Sequence, residues 1–409
     1  MKALVLAGGV DQIALLEILK GFGYWVGLVD YYENPPAKPY ADFHFQISTL
    51  DYESVKKIAI EHQATLIATS CTDQALLIAA RLSEDLSLNF PLSFTQAKQL
   101  TNKNYMKEVF KTNNIPSSDY MTMDNYDPER LKNLNFPLIF KPVDNNSSKG
   151  ISLVANISDA ETAFSYALDF SREKKVICEE FLKGTEISID AFIHDGFSQV
   201  VMVSQSDKIP NKGNYFPIYR SLYPVKVENQ VYDQIREIVQ KVAIAFQLKQ
   251  TPLLIQAIIT RDKVSVIELS ARIGGGLKHY FIKQATGYDI LSNYCQTLIG
   301  ETPSYCNTYP DGFSYMMYYC YAKPGIFIET TGFEECKAKG VILEYFITKT
   351  KGMEIHGSNN SSGRIAAVLF RGKDADEISD KYDLFDKSVS CLNQNREDIM
   401  LHGIFSPLP

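Results

Sequence analysis

The chain lacks most of the features that announce a protein class. No apolar run approaches the ~20 residues a bilayer-spanning helix requires, so no membrane partner is expected. The first nine residues, Met-Lys-Ala-Leu-Val-Leu-Ala-Gly-Gly, stop short of the apolar region of a secretory leader. Cysteine is sparse: the seven residues at 71, 178, 295, 306, 320, 336 and 391 contain no C-x-x-C pair. Such scatter excludes a compact Cys/His metal cluster and reads as reduced thiols in a cytoplasmic protein. A basic excess is also missing. With 41 Lys+Arg against 48 Asp+Glu the net charge is −7, which argues against a nucleic-acid partner. There is no Walker loop, no G-x-S-x-G and no H-E-x-x-H, and Ala7-Gly8-Gly9-Val10 does not complete G-x-G-x-x-G.

What is present is an ordinary globular composition, 45% apolar and 22% charged over 409 residues, long enough for two to three domains. Residues 1–95 alternate strand and helix patterns, which predicts an α/β domain on a parallel sheet. Residues 96–310 mix helices with antiparallel strand patterns: a helix over 101–111 capped by Thr101, strands over 137–141, 175–180, 186–193 and 199–205, a polar loop over 206–215, and a hairpin joining 253–259 to 264–269. Residues 311–409 carry strand-like runs between glycine turns and a charged helix near 374–393, an α+β pattern. The Gly-Ser-Asn-Asn-Ser-Ser-Gly stretch at 357–363 is the richest in turn residues.

The densest chemistry lies in Val-Ile-Glu268-Leu-Ser270-Ala-Arg272-Ile-Gly274-Gly275-Gly276. A buried strand seldom ends in an acid and a base unless something charged lies beyond it. Glu268 can hold a hard divalent cation, with Ser270 on the same strand face and Gln256 on the opposing strand adding neutral oxygens. Arg272 can steady developing phosphoryl or oxyanion charge, and amides of the glycine run can face a carboxylate. Upstream, Lys103 opens a helix and Lys141 ends an apolar strand, and both suit phosphate oxygens. Asp144-Asn-Asn-Ser147-Ser148-Lys-Gly150 can fold amides and hydroxyls over a phosphate chain. Glu179-Glu180-Phe181-Leu182 offers an acceptor, a backbone edge and an apolar face for a base, and Glu186 can accept from ribose hydroxyls. Each has a plain alternative: a solvated helix lysine, a surface turn, an acidic hairpin, a tight strand–helix turn. His279 reads as an ordinary histidine, although it and Lys278 lie close enough to the glycines to touch a substrate.

In this order the motifs resemble the ATP-grasp superfamily. The likeness is greatest to its carboxylate–amine ligases of the L-amino acid ligase and carbamoyl-phosphate-synthase-like type, and it covers nearly the whole chain. The resemblance implies an N-terminal α/β domain (1–95), a two-subdomain ATP-grasp fold (96–310, lid about 113–190) and a C-terminal α+β domain (311–409). It implies ATP with Mg²⁺, or Mn²⁺ in its place, held by Glu268. Lys103, Lys141 and the 144–150 loop would sit on phosphates, Glu179–Leu182 on adenine, Glu186 on ribose and Arg272 on the acyl phosphate. Small-molecule carboxylate and amine substrates are the implied partners, with Arg220, Arg272 and Arg364 as carboxylate grips in falling order. Homodimerisation is a habit of that family. Gln256 stands where many members have an acid and Ser270 where many have Asn. Two other readings therefore stand beside the ligase: a bicarbonate-dependent carboxylase, and a nucleotide-binding protein without ligase activity.

Overall fold

The structure is a computed structural model that describes residues 1–145, 150–209, 217–303, 305, 307–357 and 361–404. The apolar runs at the N-terminus form a four-stranded parallel sheet in the order Phe43–Phe45, Trp25–Val29, Lys2–Leu6, Leu66–Ala68. The strand Lys2–Leu6 is buried from Ala3 onward, as expected of a parallel strand covered on both faces. Helices Ile13–Gly21, Tyr52–Glu61 and Asp73–Asp85 complete this α/β unit.

A small antiparallel sheet follows, ordered Tyr120–Met123, Val176–Glu180, Leu138–Pro142, Ser152–Val154, with its own apolar core around Leu138, Phe140, Phe164 and Val176. The central element is an eight-stranded antiparallel sheet. Its order is Lys263–Ser270, Thr251–Thr260, Thr185–His194, Phe197–Lys208, Ile218–Tyr223, Ser314–Tyr321, Arg364–Gly372, Glu344–Ile347. Helix Asn229–Ala245 buries Val231, Ile235, Ile238, Val239 and Val242, one stripe at helical spacing, in the core this sheet contributes to. The fold is therefore mixed α/β and α+β, with a parallel N-terminal sheet and antiparallel sheets beyond it. The eight-stranded sheet runs through the expected 310/311 division, because Arg220 to Tyr223 pair with Tyr318 to Tyr315.

Several local expectations are corrected. Asn102, not Thr101, caps the helix Lys103–Thr112 by accepting from the Tyr105 amide at 3.0 Å. Ser206–Lys208 is strand rather than loop, because it pairs with Ile218–Ser221, a run with no strand assigned from its local pattern. Tyr120–Met123 and Gly325–Thr331 were likewise unassigned, and their strands rest on partners distant in sequence. The final helix ends at Asp386, and Ser390–Asn393 returns as a strand against Thr331–Phe327.

Candidate active site

Between the small sheet and the eight-stranded sheet lies a cleft. Its apolar wall is Ile139, Ile151, Phe181, Leu182, Ile258 and Ile267, and its polar end is Lys103, Lys141, Gln256 and Glu268. An apolar slot that closes on two ammonium groups and a carboxylate suits a flat base attached to a polyphosphate. Lys103 stands at the first position of its helix, its Nζ 3.5 Å from Glu268 Oε2 and donating to the Asn145 carbonyl at 2.5 Å.

The acidic pair lines the cleft, but its carboxylates are already engaged. The Glu179 carboxylate is enclosed by cations: Lys107 Nζ at 2.7 Å, Lys141 Nζ at 2.9 Å, and the Ser118 hydroxyl donating at 2.9 Å. Burial alone would raise its pKa, but the two ammonium groups outweigh burial and hold it far below the carboxylate range. Glu179 is thus occupied as counter-ion to two lysines rather than kept open for an adenine amino group. Glu180 accepts from the backbone and side-chain N–H groups of Asn135, both at 2.8 Å, and the Phe181 amide donates to the Pro137 carbonyl at 2.9 Å. Glu186 pairs with Lys208 at 2.5 Å. Lys141 keeps a place on the cleft wall, with burial opposed by Glu179 so that its pKa ends above the usual lysine value.

Ser147 and Ser148 lie outside the described residues, as do residues 210–216. Gly150 is described but does not line the cleft. It sits at φ +72°, where a Cβ would come within 2.8 Å of both Phe170 and Pro142, so the glycine is required by backbone conformation and packing.

Glu268 and Gln256 are register partners on adjacent strands and line the cleft together. One carboxylate and one amide oxygen are hard oxygen donors that fit a Mg²⁺ carried mainly by phosphate oxygens. Ser270 is turned to other work: its hydroxyl donates to Asp73 Oδ1 at 2.6 Å. The same carboxylate receives Arg272, Nε to Oδ1 at 2.6 Å and Nη2 to Oδ2 at 2.7 Å, while Arg272 Nη1 donates to the Ile273 carbonyl at 2.8 Å. Burial pushes the Asp73 pKa up, but the guanidinium overrides it and brings it to about 2. Three of the five guanidinium N–H groups are engaged, which leaves two for a ligand.

Beyond Glu268 a second, wider chamber opens, and Gln256, Glu268, Glu186 and Lys208 line both spaces. Arg272, Gly274, Gly275, Gly276, Lys278, Tyr319, Lys349 and Arg364 form much of its remaining wall. One expectation fails here. Arg220 is buried, donates to Asp207 at 2.6 Å and does not line the chamber, although Ile218 and Ser221 of the same strand do. The glycine run lines the chamber, but its last amide is already engaged. The Leu277 amide donates to Asp11 Oδ1 at 2.6 Å and the Gly276 amide to Asp11 Oδ2 at 3.4 Å, so a side chain of the N-terminal unit holds the turn just before the helix Lys278–Thr286. Arg364 does line the chamber. It stacks on the Tyr319 ring at 4.0 Å and donates to the Tyr321 hydroxyl and the Ile218 carbonyl, all neutral groups.

Sequence reasoning missed Asp11, Asp73, Lys107 and Lys208. Asp11 and Asp73 opened helical patterns that looked self-sufficient, and Lys107 sat one turn after Lys103 on what reads as a solvated helix face. Only the alignment of Lys103 and Lys107 on one face, four residues apart, was a usable signal.

Residues 101–276 match the family model described as phosphoribosylglycinamide synthetase, ATP-grasp (A) domain. That segment of the chain is thus similar to an ATP-grasp domain. Over 189 residues it is 30% identical to phosphoribosylamine–glycine ligase of Lactococcus lactis, covering 42% of this chain and 44% of that protein. Over 236 residues it is 23% identical to dapdiamide A synthase of Enterobacter agglomerans, covering 56% of this chain and 55% of that one. The chain thus spans about half the length of these curated relatives. The crystal structure of L-amino acid ligase from Bacillus licheniformis superposes with a TM-score of 0.81 at 21% identity, over 97% of this chain and 99% of that chain. That likeness is one of fold. No helix among the described residues is long and apolar enough to cross a membrane.

Proposed function

We propose that this protein is an ATP-dependent, ADP-forming ligase that activates a small carboxylate, an amino acid in the first instance, as an acyl phosphate and joins it to an amine. One observation carries this reading: Glu268 and Gln256 form a wall common to the narrow cleft and to the wide chamber. A nucleotide lying base-first in the cleft, against Phe181 and Leu182, brings its terminal phosphate to Glu268. A carboxylate in the chamber meets it there.

The reaction asks the protein for placement and charge compensation rather than covalent work. Lys103 and Lys141 supply positive charge along the phosphate chain. Mg²⁺, held at Glu268 with Gln256 beside it, would neutralise charge on the transferred phosphoryl group. Arg272, fixed by Asp73, directs its remaining N–H groups at the oxygens that gain charge. Arg364, whose described partners are neutral, and Lys349 give the far side of the chamber a positive character suited to a substrate carboxylate. The names of the superposed L-amino acid ligase and of the phosphoribosylamine–glycine ligase support an amino-acid substrate.

The test is turnover on paired panels. With ATP, Mg²⁺ and mixtures of amino acids as acid and amine, ADP and phosphate should appear only when both partners are present. Bicarbonate-dependent release would replace the ligase reading by the carboxylase one, and tight ATP binding without turnover on any panel would leave a nucleotide-binding protein.

A further inference from the structure

One lysine of the chamber wall, with a buried aspartate beside it, is left unused by this scheme. Lys278 lines the chamber, yet it is the first residue of the helix Lys278–Thr286 and is almost fully buried. A cation at the positive end of a helix, out of water, is placed against both the dipole and solvation. Its Nζ lies 3.4 Å from Asp190 Oδ2, donates to the Ser204 hydroxyl at 2.7 Å and stands 5.4 Å from the Phe281 ring centre. Asp190 in turn meets the Ser188 hydroxyl at 3.5 Å. The backbone of Gly274, two residues after Arg272, is pressed against the pair: a Cβ there would sit 3.0 Å from Lys278 Cγ and 3.5 Å from Asp190 Oδ1. The glycine run therefore admits the lysine to the same chamber as Arg272 and Glu268.

We propose that Lys278 is the proton acceptor for the attacking amine, with Asp190 as its positioning partner. The inference rests on the ligase reading of the chamber. An amine reaches the site as an ammonium ion, which has no lone pair with which to attack. The Lys278 amine takes one proton from it, becoming an ammonium beside the Asp190 carboxylate. The freed lone pair forms the C–N bond, the C–O bond to phosphate breaks, and the second proton leaves with hydrogen phosphate. Burial is the largest influence on Lys278 and lowers its pKa, against the opposing pull of Asp190, so the free-base form is within reach. Burial likewise raises Asp190, against the pull of Lys278.

Hydroxylamine separates the steps, because at neutral pH it is already largely unprotonated and needs no acceptor. Wild-type protein, Lys278→Met and the apolar double variant Lys278→Met/Asp190→Leu, which leaves no unpaired buried charge, are given ATP, Mg²⁺ and the twenty amino acids, with either hydroxylamine or an amino acid as nucleophile. Both variants should keep hydroxamate formation within a few-fold while amide formation falls on the order of 100-fold or more. Asp190→Asn should shift the amide pH profile and leave the hydroxamate profile in place. Equal losses with both nucleophiles, or no loss with either, would overturn the assignment of Lys278. A wild-type protein that makes no hydroxamate from any acid would overturn the ligase reading itself and this inference with it.

Discussion

Arg272 and Asp73 are 199 residues apart and meet in a two-pronged contact, Nε to Oδ1 at 2.6 Å and Nη2 to Oδ2 at 2.7 Å. The arginine follows the strand Lys263–Ser270 of the large sheet, and the aspartate opens a helix of the N-terminal unit. The N-terminal unit thus aims the guanidinium that faces the chamber. Asp73→Asn keeps the volume and removes the charge. Turnover should fall on the order of 10- to 100-fold, as when the partner that orients a functional group is removed. The KM for ATP should change little, because Asp73 does not line the narrow cleft. ADP release under saturating ATP checks this, and a variant with wild-type turnover would show that Arg272 needs no such guide.

The same contact has a signature in pH. The Asp73 carboxyl goes from an ordinary 3.8 to about 2 in the fold. A group whose folded pKa is depressed lends stability above its unfolded pKa and loses it as the pH falls through the folded one. The window here is pH 4 down to 2, and the contribution at stake is about 2 kcal/mol. Urea unfolding of wild type and Asp73→Asn should show a stability difference near pH 5 that shrinks by this amount toward pH 2. A difference independent of pH would mean that the asparagine acts through shape alone.

Glu179 presents a sharper case, because one buried carboxylate serves two buried lysines. Glu179→Gln leaves Lys107 and Lys141 facing each other without an anion. Breaking a buried pair from one side costs about 3–5 kcal/mol. The double variant Glu179→Gln/Lys107→Met removes one ammonium as well and should recover a substantial part of that loss. Chemical denaturation measures both, and a single variant as stable as wild type would deny the cluster its structural role.

How far the sequence discloses such contacts depends on distance along the chain. Glu268 and Lys103 were legible because one lies near the end and the other at the start of a local pattern, and Gln256 because it is a polar residue inside an apolar strand of the same hairpin. The fold class was legible for the same reason: alternation of period marks the parallel sheet, and the hairpin 253–269 marks the antiparallel one. The partners were not legible. Asp73 carries no local sign that it holds Arg272, Asp11 none that it holds the turn after the glycines, and Ile218–Tyr223 is a strand because Phe197–Lys208 and Ser314–Tyr321 flank it. Arg220 and Arg364 look alike as letters, and only the folded chain shows that one is buried against Asp207 and the other lines the chamber.

Gly276 shows how close the chamber wall is packed. It sits at φ +74°, and a Cβ there would lie 2.8 Å from the Tyr319 ring, whose hydroxyl donates to the Gly276 carbonyl at 3.1 Å. Tyr319 also carries the Arg364 guanidinium on its face at 4.0 Å. Gly276→Ala therefore imposes two separate penalties, a left-handed backbone for an L-residue and a push on the tyrosine, together about 1–3 kcal/mol. The push travels further than the strain does: a displaced Tyr319 moves Arg364, so the KM for the chamber's substrate should rise while the KM for ATP stays near its wild-type value. In Gly276→Ala/Tyr319→Leu the steric share of the stability loss should return while the backbone share remains. The substrate KM should stay high, since the ring that seats Arg364 is gone. If the single variant unfolds at the wild-type urea midpoint, the close approach of Tyr319 to the glycine run is not a feature of the protein in solution.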